Sequence, residues 1–188
     1  TVLLEKSRVN FAIYESVQAQ NQIIDQMNPT VYAKTQKNAT EIENMKKAHI
    51  IDGVVMTKYI YWLKKNIGKI PMDECSVADR LDQMRREHGA LDISFNTISA
   101  YGKNAALCHY HAVPEHCASL QARGLYLVDS GGQYYEGTTD ITRTYPVGPL
   151  TENERKYYTW TLQSHIDIAR AVFLDYCTGF ALDSFARG

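Results

Sequence analysis

Apolar residues recur along this chain with two periods, and the switches between them lay out its elements. "VLLE" (2–5) is strand-like. Val9, Ala12, Ile13 and Val17 then follow near helical spacing and predict a first helix. Residues 18–36 are polar, with a turn-like Asn28-Pro29, and read as a connector. A long helix is expected from Thr40, because "TEIE" has the form of a capping box with Glu43 at the third helical position. Its apolar face would run through Ile42, Met45, His49, Val54 and Ile60 and end near Gly68. "SVADRLDQMRREHG" predicts a second helix, capped by Ser76 and closed by Gly89. The period then drops to two. "DISFNTISA" (92–100), "LYLVD" (125–129) and "TTDITRT" (138–144) read as strands, the last two as a hairpin around an "EG" turn. Thr151 and Glu154 cap a third helix through Phe173, and "LDSFARG" begins another. The expected class is α+β.

Within the hairpin the pattern carries a chemical oddity. Asp is a poor strand residue, yet Asp129 and Asp140 each interrupt a β-prone run. Paired strands could bring both carboxylates to one face, where like charges repel and a divalent cation would relieve them. Oxygen-only ligands favour hard or borderline ions such as Mn²⁺. The plainer alternative is a strand end at Asp129 and a surface ion pair at Asp140. Thr138, Thr139 and Thr142 could orient a carboxylate through their hydroxyls, or be there for strand propensity alone. Gly131, Gly132 and Gly137 suit a bend or bulge. A second candidate is "CHYHAVPEHC" (108–117), dense in zinc-type ligands. Its spacing is poor for zinc, with His109 and His111 two apart and no CxxC knuckle. A histidine loop with one member facing a site is the better reading.

Composition narrows the classes. The 188 residues are 45% hydrophobic and 22% charged with net charge −1, which leaves no basic footprint for nucleic acid or a membrane surface. No apolar run approaches the ~20 residues of a membrane span, and the N-terminus lacks a signal-peptide core. Four irregularly spaced cysteines do not form a disulfide framework, so a cytoplasmic setting is expected. The sequon at Asn38 is the one contrary hint.

The split between metal site and plain hairpin is broken by a resemblance. "YLVDSGGQYYEGTTDITRT" resembles the signature of the pita-bread metallopeptidases, and among them the three-domain aminopeptidase P (Xaa-Pro aminopeptidase) branch. "KNATEIENMKKAHIIDGVVMTKYIYWL" resembles the first helix of that catalytic domain, and "DISFNTISAYGKNAALCHYHAVPE" the strand, turn and histidine before the metal hairpin. "LTENERKYYTWTLQSHIDIARAVF" and "LDSFAR" resemble the helices after it.

The resemblance implies a curved antiparallel sheet backed by helices. It implies that residues 33–188 are the first half of the catalytic domain, and residues 1–32 the end of a preceding non-catalytic domain with its connector. It further implies two divalent ions, Mn²⁺ in the first instance. Asp129 would chelate one, Asp140 would bridge both, and His109 would contact substrate and transition state. Arg143 would be a structural ion-pair partner. The implied reaction is release of the N-terminal residue from peptides with proline second, by water activated between the ions. Proline's tertiary nitrogen and fixed φ exclude most general peptidase pockets.

Glu136 stands where the family usually has Asp, and "LDYCTG" (174–179) replaces a Pro-Gly-like turn. The family's later ligands, one histidine and two glutamates, have no counterpart before Gly188, so this stretch alone is expected to be inactive. The alternatives are a prolidase-type dipeptidase and a pita-bread binding module without catalysis. Peptides are the expected partners, and a homodimer is one arrangement open to the chain.

Overall fold

A computed structural model describes residues 1–187. The chain divides into two compact units, Thr1–Lys46 and Lys47–Gly188. The first holds β1 (Val2–Leu3), α1 (Phe11–Gln18), β2 (Ile23–Ile24) and α2 (Pro29–Thr35), and the long α3 (Ala39–Asn66) begins in it. β1 and β2 pair in parallel, Val2 opposite Ile23. Residues 29–35 are helical and not a connector: Asn28 accepts from Thr30 N at 3.0 Å, and Pro29 fills the first turn, where its missing N–H costs nothing. α3 is capped by Asn38 and Glu41, not by Thr40 and Glu43. Asn38 Oδ1 accepts from Glu41 N at 2.9 Å, and Glu41 Oε2 accepts from Asn38 N at 2.8 Å.

The second unit contains the remainder of α3, then α4 (Glu74–Glu87), β3 (Asp92–Ile93), β4 (Ile98–Tyr101), β5 (Leu125–Ser130), β6 (Gly132–Gln133), β7 (Ile141–Pro146), α5 (Glu152–Arg170) and α6 (Gly179–Arg187). β5 is the centre of a three-stranded antiparallel sheet, with Ile98 and Thr142 both opposite Asp129. Its even positions Tyr126, Val128 and Ser130 are buried, while its odd positions line the more open face. The core joins Val55, Tyr59 and Leu63 of α3, Val77, Leu81 and Met84 of α4, and Tyr126 and Val128 of the sheet. Tyr126 OH lies 3.0 Å from Tyr59 OH and 2.9 Å from Ser99 Oγ, so both phenol hydroxyls among them are partnered.

Three expectations shift. The buried stripe of α3 is Ala48, Asp52, Val55, Met56, Tyr59 and Leu63, so Ile42, Met45 and Val54 are exposed instead. Hydropathy misplaced the stripe because Asp52 is charged and Ala48 is small. Ser76 is not the cap of α4 but the N3 member of a capping box with Asp73, whose Oδ1 accepts from Ser76 N at 2.7 Å. "DISFNTISA" is two strands in two sheets, since β3 pairs with β6 and β4 with β5. α5 begins as expected, with Thr151 and Glu154 bonding reciprocally. Among the described residues no helix is long and apolar enough to cross a membrane.

Candidate metal centre

β5 and β7 form the hairpin, but the chain leaves it between Ser130 and Ile141. Residues 132–133 pair with β3, and a tight turn closes where Tyr134 N donates to the Gly137 carbonyl at 2.9 Å. Gly131 makes this excursion feasible: a Cβ there would lie 1.9 Å from the Thr139 carbonyl oxygen. The glycine need is therefore close approach of backbone, not positive φ.

Asp129, half-buried, faces Thr142 across the ladder, and Thr142 Oγ1 donates to Asp129 Oδ1 at 2.7 Å. Asp140 is exposed and immediately precedes β7, two positions before Thr142; continuing the alternation of β7 back by one residue would set it on the face that Asp129 and Thr142 share. Among the described residues neither aspartate has a cationic partner, and Asp140 accepts no hydrogen bond. Asp129, held by a hydroxyl, and the exposed Asp140 just before the next strand offer oxygen-only donors of the kind that fit a hard divalent ion. The hydroxyl that orients a carboxylate is thus Thr142, acting on Asp129. Thr138 bonds Gln133 instead, and Arg143 donates to the Thr142 carbonyl at 2.7 Å in place of a carboxylate.

Thr139 does something else, through a residue that sequence reasoning passed over. Asp52 of α3 is fully buried and paired with the equally buried Arg85 of α4, at 2.8 Å from Nε and 3.1 Å from Nη2. Tyr134 OH and Thr139 Oγ1 also donate to it, at 2.9 and 2.8 Å. Thr139 Oγ1 in turn accepts from Gly132 N at 2.9 Å. One buried carboxylate therefore fixes both arms of the excursion, and with them the residue immediately before Asp140. Burial and then the Asp52 charge raise the Tyr134 pKa, keeping its hydroxyl a donor.

A second buried carboxylate governs the histidine loop. Glu74, the first residue of α4, accepts from Tyr101 N at 2.6 Å, Tyr110 OH at 2.7 Å and Ala118 N at 2.8 Å. Asn104 Nδ2 donates to both of its oxygens, at 3.0 and 3.1 Å. Burial first, then Glu74, push the Tyr110 hydroxyl up to about 12, so it stays protonated and donating. The loop is thus pinned at both ends and beside its first histidine. His109 itself is exposed, with a left-handed backbone at φ 54°. Among the described residues no hydrogen bond joins it to Asp129 or Asp140. Cys108, His109 and His111 form no ligand cluster there either; Cys117 is drawn instead to Asp73 and Cys75. Nothing in the sequence marks Asp52 or Glu74 except their places on otherwise apolar helix faces.

Residues 43–188 match the model of metallopeptidase family M24. The chain is 40% identical over 187 residues to a probable Xaa-Pro aminopeptidase P of Botryotinia fuckeliana, covering 98% of this chain and 29% of that one. It is likewise 40% identical over 187 residues to mouse Xaa-Pro aminopeptidase 2, covering 99% and 28%. The chain therefore spans under a third of these relatives' length. Among solved structures it is similar to an X-prolyl aminopeptidase of Caenorhabditis elegans, described as a cytosolic enzyme with a di-nuclear active site. That match has TM-score 0.79 and 32% identity, over 88% of this chain and 27% of that one. Pyrococcus furiosus prolidase superposes with TM-score 0.72 at 26% identity, over 98% of this chain and 52% of its own. The neighbours bear the pita-bread fold expected from the sequence. This chain belongs to metallopeptidase family M24.

Proposed function

We propose that the protein carrying this chain is a metal-dependent aminopeptidase that releases the N-terminal residue from peptides with proline in second position. The observation that carries this reading is the Asp129–Asp140 motif: Asp129 is held across the ladder by Thr142, Asp140 is exposed just before the partner strand, and neither has a cationic partner among the described residues. It stands in a chain 40% identical to Xaa-Pro aminopeptidases over nearly its whole length. Asp129 and Asp140 are the residues that would hold two divalent ions, with Mn²⁺ the hard, carboxylate-compatible choice. Bound there, the ions supply an activated water and a polarised carbonyl. Thr142 keeps Asp129 turned toward the open face, and the Asp52 network holds the backbone next to Asp140. His109 contacts the substrate from the loop that Glu74 secures. Residues 33–188 belong to the catalytic domain and residues 1–32 to the end of the domain before it. The protein works in the cytoplasm, the setting in which the Caenorhabditis elegans neighbour is described, and a homodimer is one arrangement open to it.

The test is hydrolysis by the full-length protein of an Xaa-Pro-Xaa tripeptide, an Xaa-Pro dipeptide and an Xaa-Ala-Xaa control, before and after chelation. Cleavage of the tripeptide, lost on chelation and restored by Mn²⁺, is the expected result. Cleavage of the dipeptide alone would make it a prolidase. Absence of turnover with metal bound would make it a binding module. In the active protein, His109→Ala should lower kcat/KM by about 10²-fold at unchanged metal content.

A further inference from the structure

Residues 72–74 run antiparallel to residues 118–120. Leu120 N donates to the Met72 carbonyl at 2.8 Å, Asp73 bridges Ser119, and Glu74 N donates to the Ala118 carbonyl at 3.0 Å. Carried one step further, that register sets Cys75 opposite Cys117, forty-two residues away in the chain (117 − 75). The two sulfurs and a carboxylate oxygen of Asp73 all lie within 4.8 Å of one another, and all three residues are half-buried. Asp73 Oδ1 accepts from Ser76 N at 2.7 Å, which leaves Oδ2 for another partner. Tetrahedral zinc with bonds of ~2.3 Å to sulfur sets its ligand atoms about 3.8 Å apart, so the observed cluster needs only a small contraction.

We propose that Asp73, Cys75 and Cys117 form a binding site for a thiophilic divalent cation of the zinc class, separate from the Asp129–Asp140 face and chemically distinct from it. Two thiolates and one carboxylate fill three positions and leave the fourth to solvent. The thiols give up two protons on binding. The soft donors select against the hard ions that suit the aspartate face. Bound there, the cation clasps the start of α4 to the end of the loop that carries His109, beside the Glu74 anchor. A disulfide between the same sulfurs would leave the carboxylate oxygen unused. The site does not depend on the peptidase reading.

Co²⁺ is the probe, added to the full-length protein kept reduced by a phosphine. One equivalent should give thiolate-to-cobalt charge-transfer absorption, which Zn²⁺ displaces. Oxygen ligands at the aspartate face give no such band, so it should persist in Asp129→Ala/Asp140→Ala and in Cys108→Ser. It should vanish in Cys75→Ser and in Cys117→Ser. Asp73→Asn preserves the helix cap, because Asn caps as well as Asp, and should weaken cobalt at least ~10-fold. The unmutated protein gives a second measurement that survives any folding failure of the serine variants: one equivalent of Zn²⁺ should slow alkylation of Cys75 and Cys117 but not of Cys108. No band in the reduced protein, a band that outlasts both serine substitutions, or alkylation indifferent to Zn²⁺ would overturn the site. So would exclusive formation of a Cys75–Cys117 disulfide with oxidised glutathione and no cation uptake by the thiols.

Discussion

Asp52 shows how one residue can serve stability and site geometry at once. With Arg85 it is withdrawn from solvent, and two hydroxyls complete its shell. Such a pair gains little over apolar packing, but removing one member strands a buried charge at roughly 3–5 kcal/mol. Asp52→Ala should therefore lose stability of that order in urea melts, whereas Thr139→Val should lose roughly 1–3 kcal/mol, the cost of unsatisfied partners. Loss below 1 kcal/mol for Asp52→Ala would mean that Arg85 finds water. The aspartates of the open face answer to a different measurement. If Asp140 serves both ions and Asp129 one, Asp140→Asn in the full-length protein should retain less metal than Asp129→Asn. Equal loss by elemental analysis would refute the bridging role.

At the scale of elements, the caps separate what the sequence made legible from what it did not. Thr151-x-x-Glu154 was readable because one such box stands before the helical pattern, and α5 begins there. Before α3 two boxes overlap, Asn38-x-x-Glu41 and Thr40-x-x-Glu43, and local spacing does not choose between them. The structure uses the first. Asn38→Ala should thus cost about 1 kcal/mol in a thermal melt, and Thr40→Ala, already inside the helix, only a few tenths. A larger loss at Thr40 would restore the other box. The hairpin was legible from its β-branched alternation. Its excursion through β6 was not, because what draws residues 131–140 aside is Asp52, some eighty residues earlier. The same limit hid the division of 92–100 into two strands: Ser94 is held by the Gly131 and Thr139 carbonyls, and Thr97 by Asp82, all distant in sequence. Asp129 and Asp140 stood out as candidates because they lie in one local motif. Glu74 and the Cys75–Cys117 register could not, because only tertiary pairing creates them.

Within the second unit the buried core gathers around α3, α4 and the sheet, whereas α5 and α6 bury no residue fully. Ser164 of α5 donates to the Ala186 carbonyl at 2.8 Å, so the two helices touch, yet the segment between them is exposed and apolar. Val172 is 96% exposed, Leu174 85% and Phe180 92%, with Tyr176 entirely in solvent. Phe173 of the same segment, Ile166 of α5 and Phe185 of α6 are also exposed. Side chains of this size near one another form the kind of patch that folded monomers seldom leave open. Covering about 400 Å² of it would gain about 10 kcal/mol at 25 cal/mol per Å², comparable to a domain's net stability. The 188-residue chain on its own should therefore self-associate, its weight-average mass rising with concentration in sedimentation equilibrium. Leu174→Ser/Phe180→Ser should shift that curve toward monomer while leaving the core around Tyr59 and Tyr126, and its far-UV spectrum, intact. A monodisperse monomer over a hundredfold range of concentration would show that the patch is covered from within the chain.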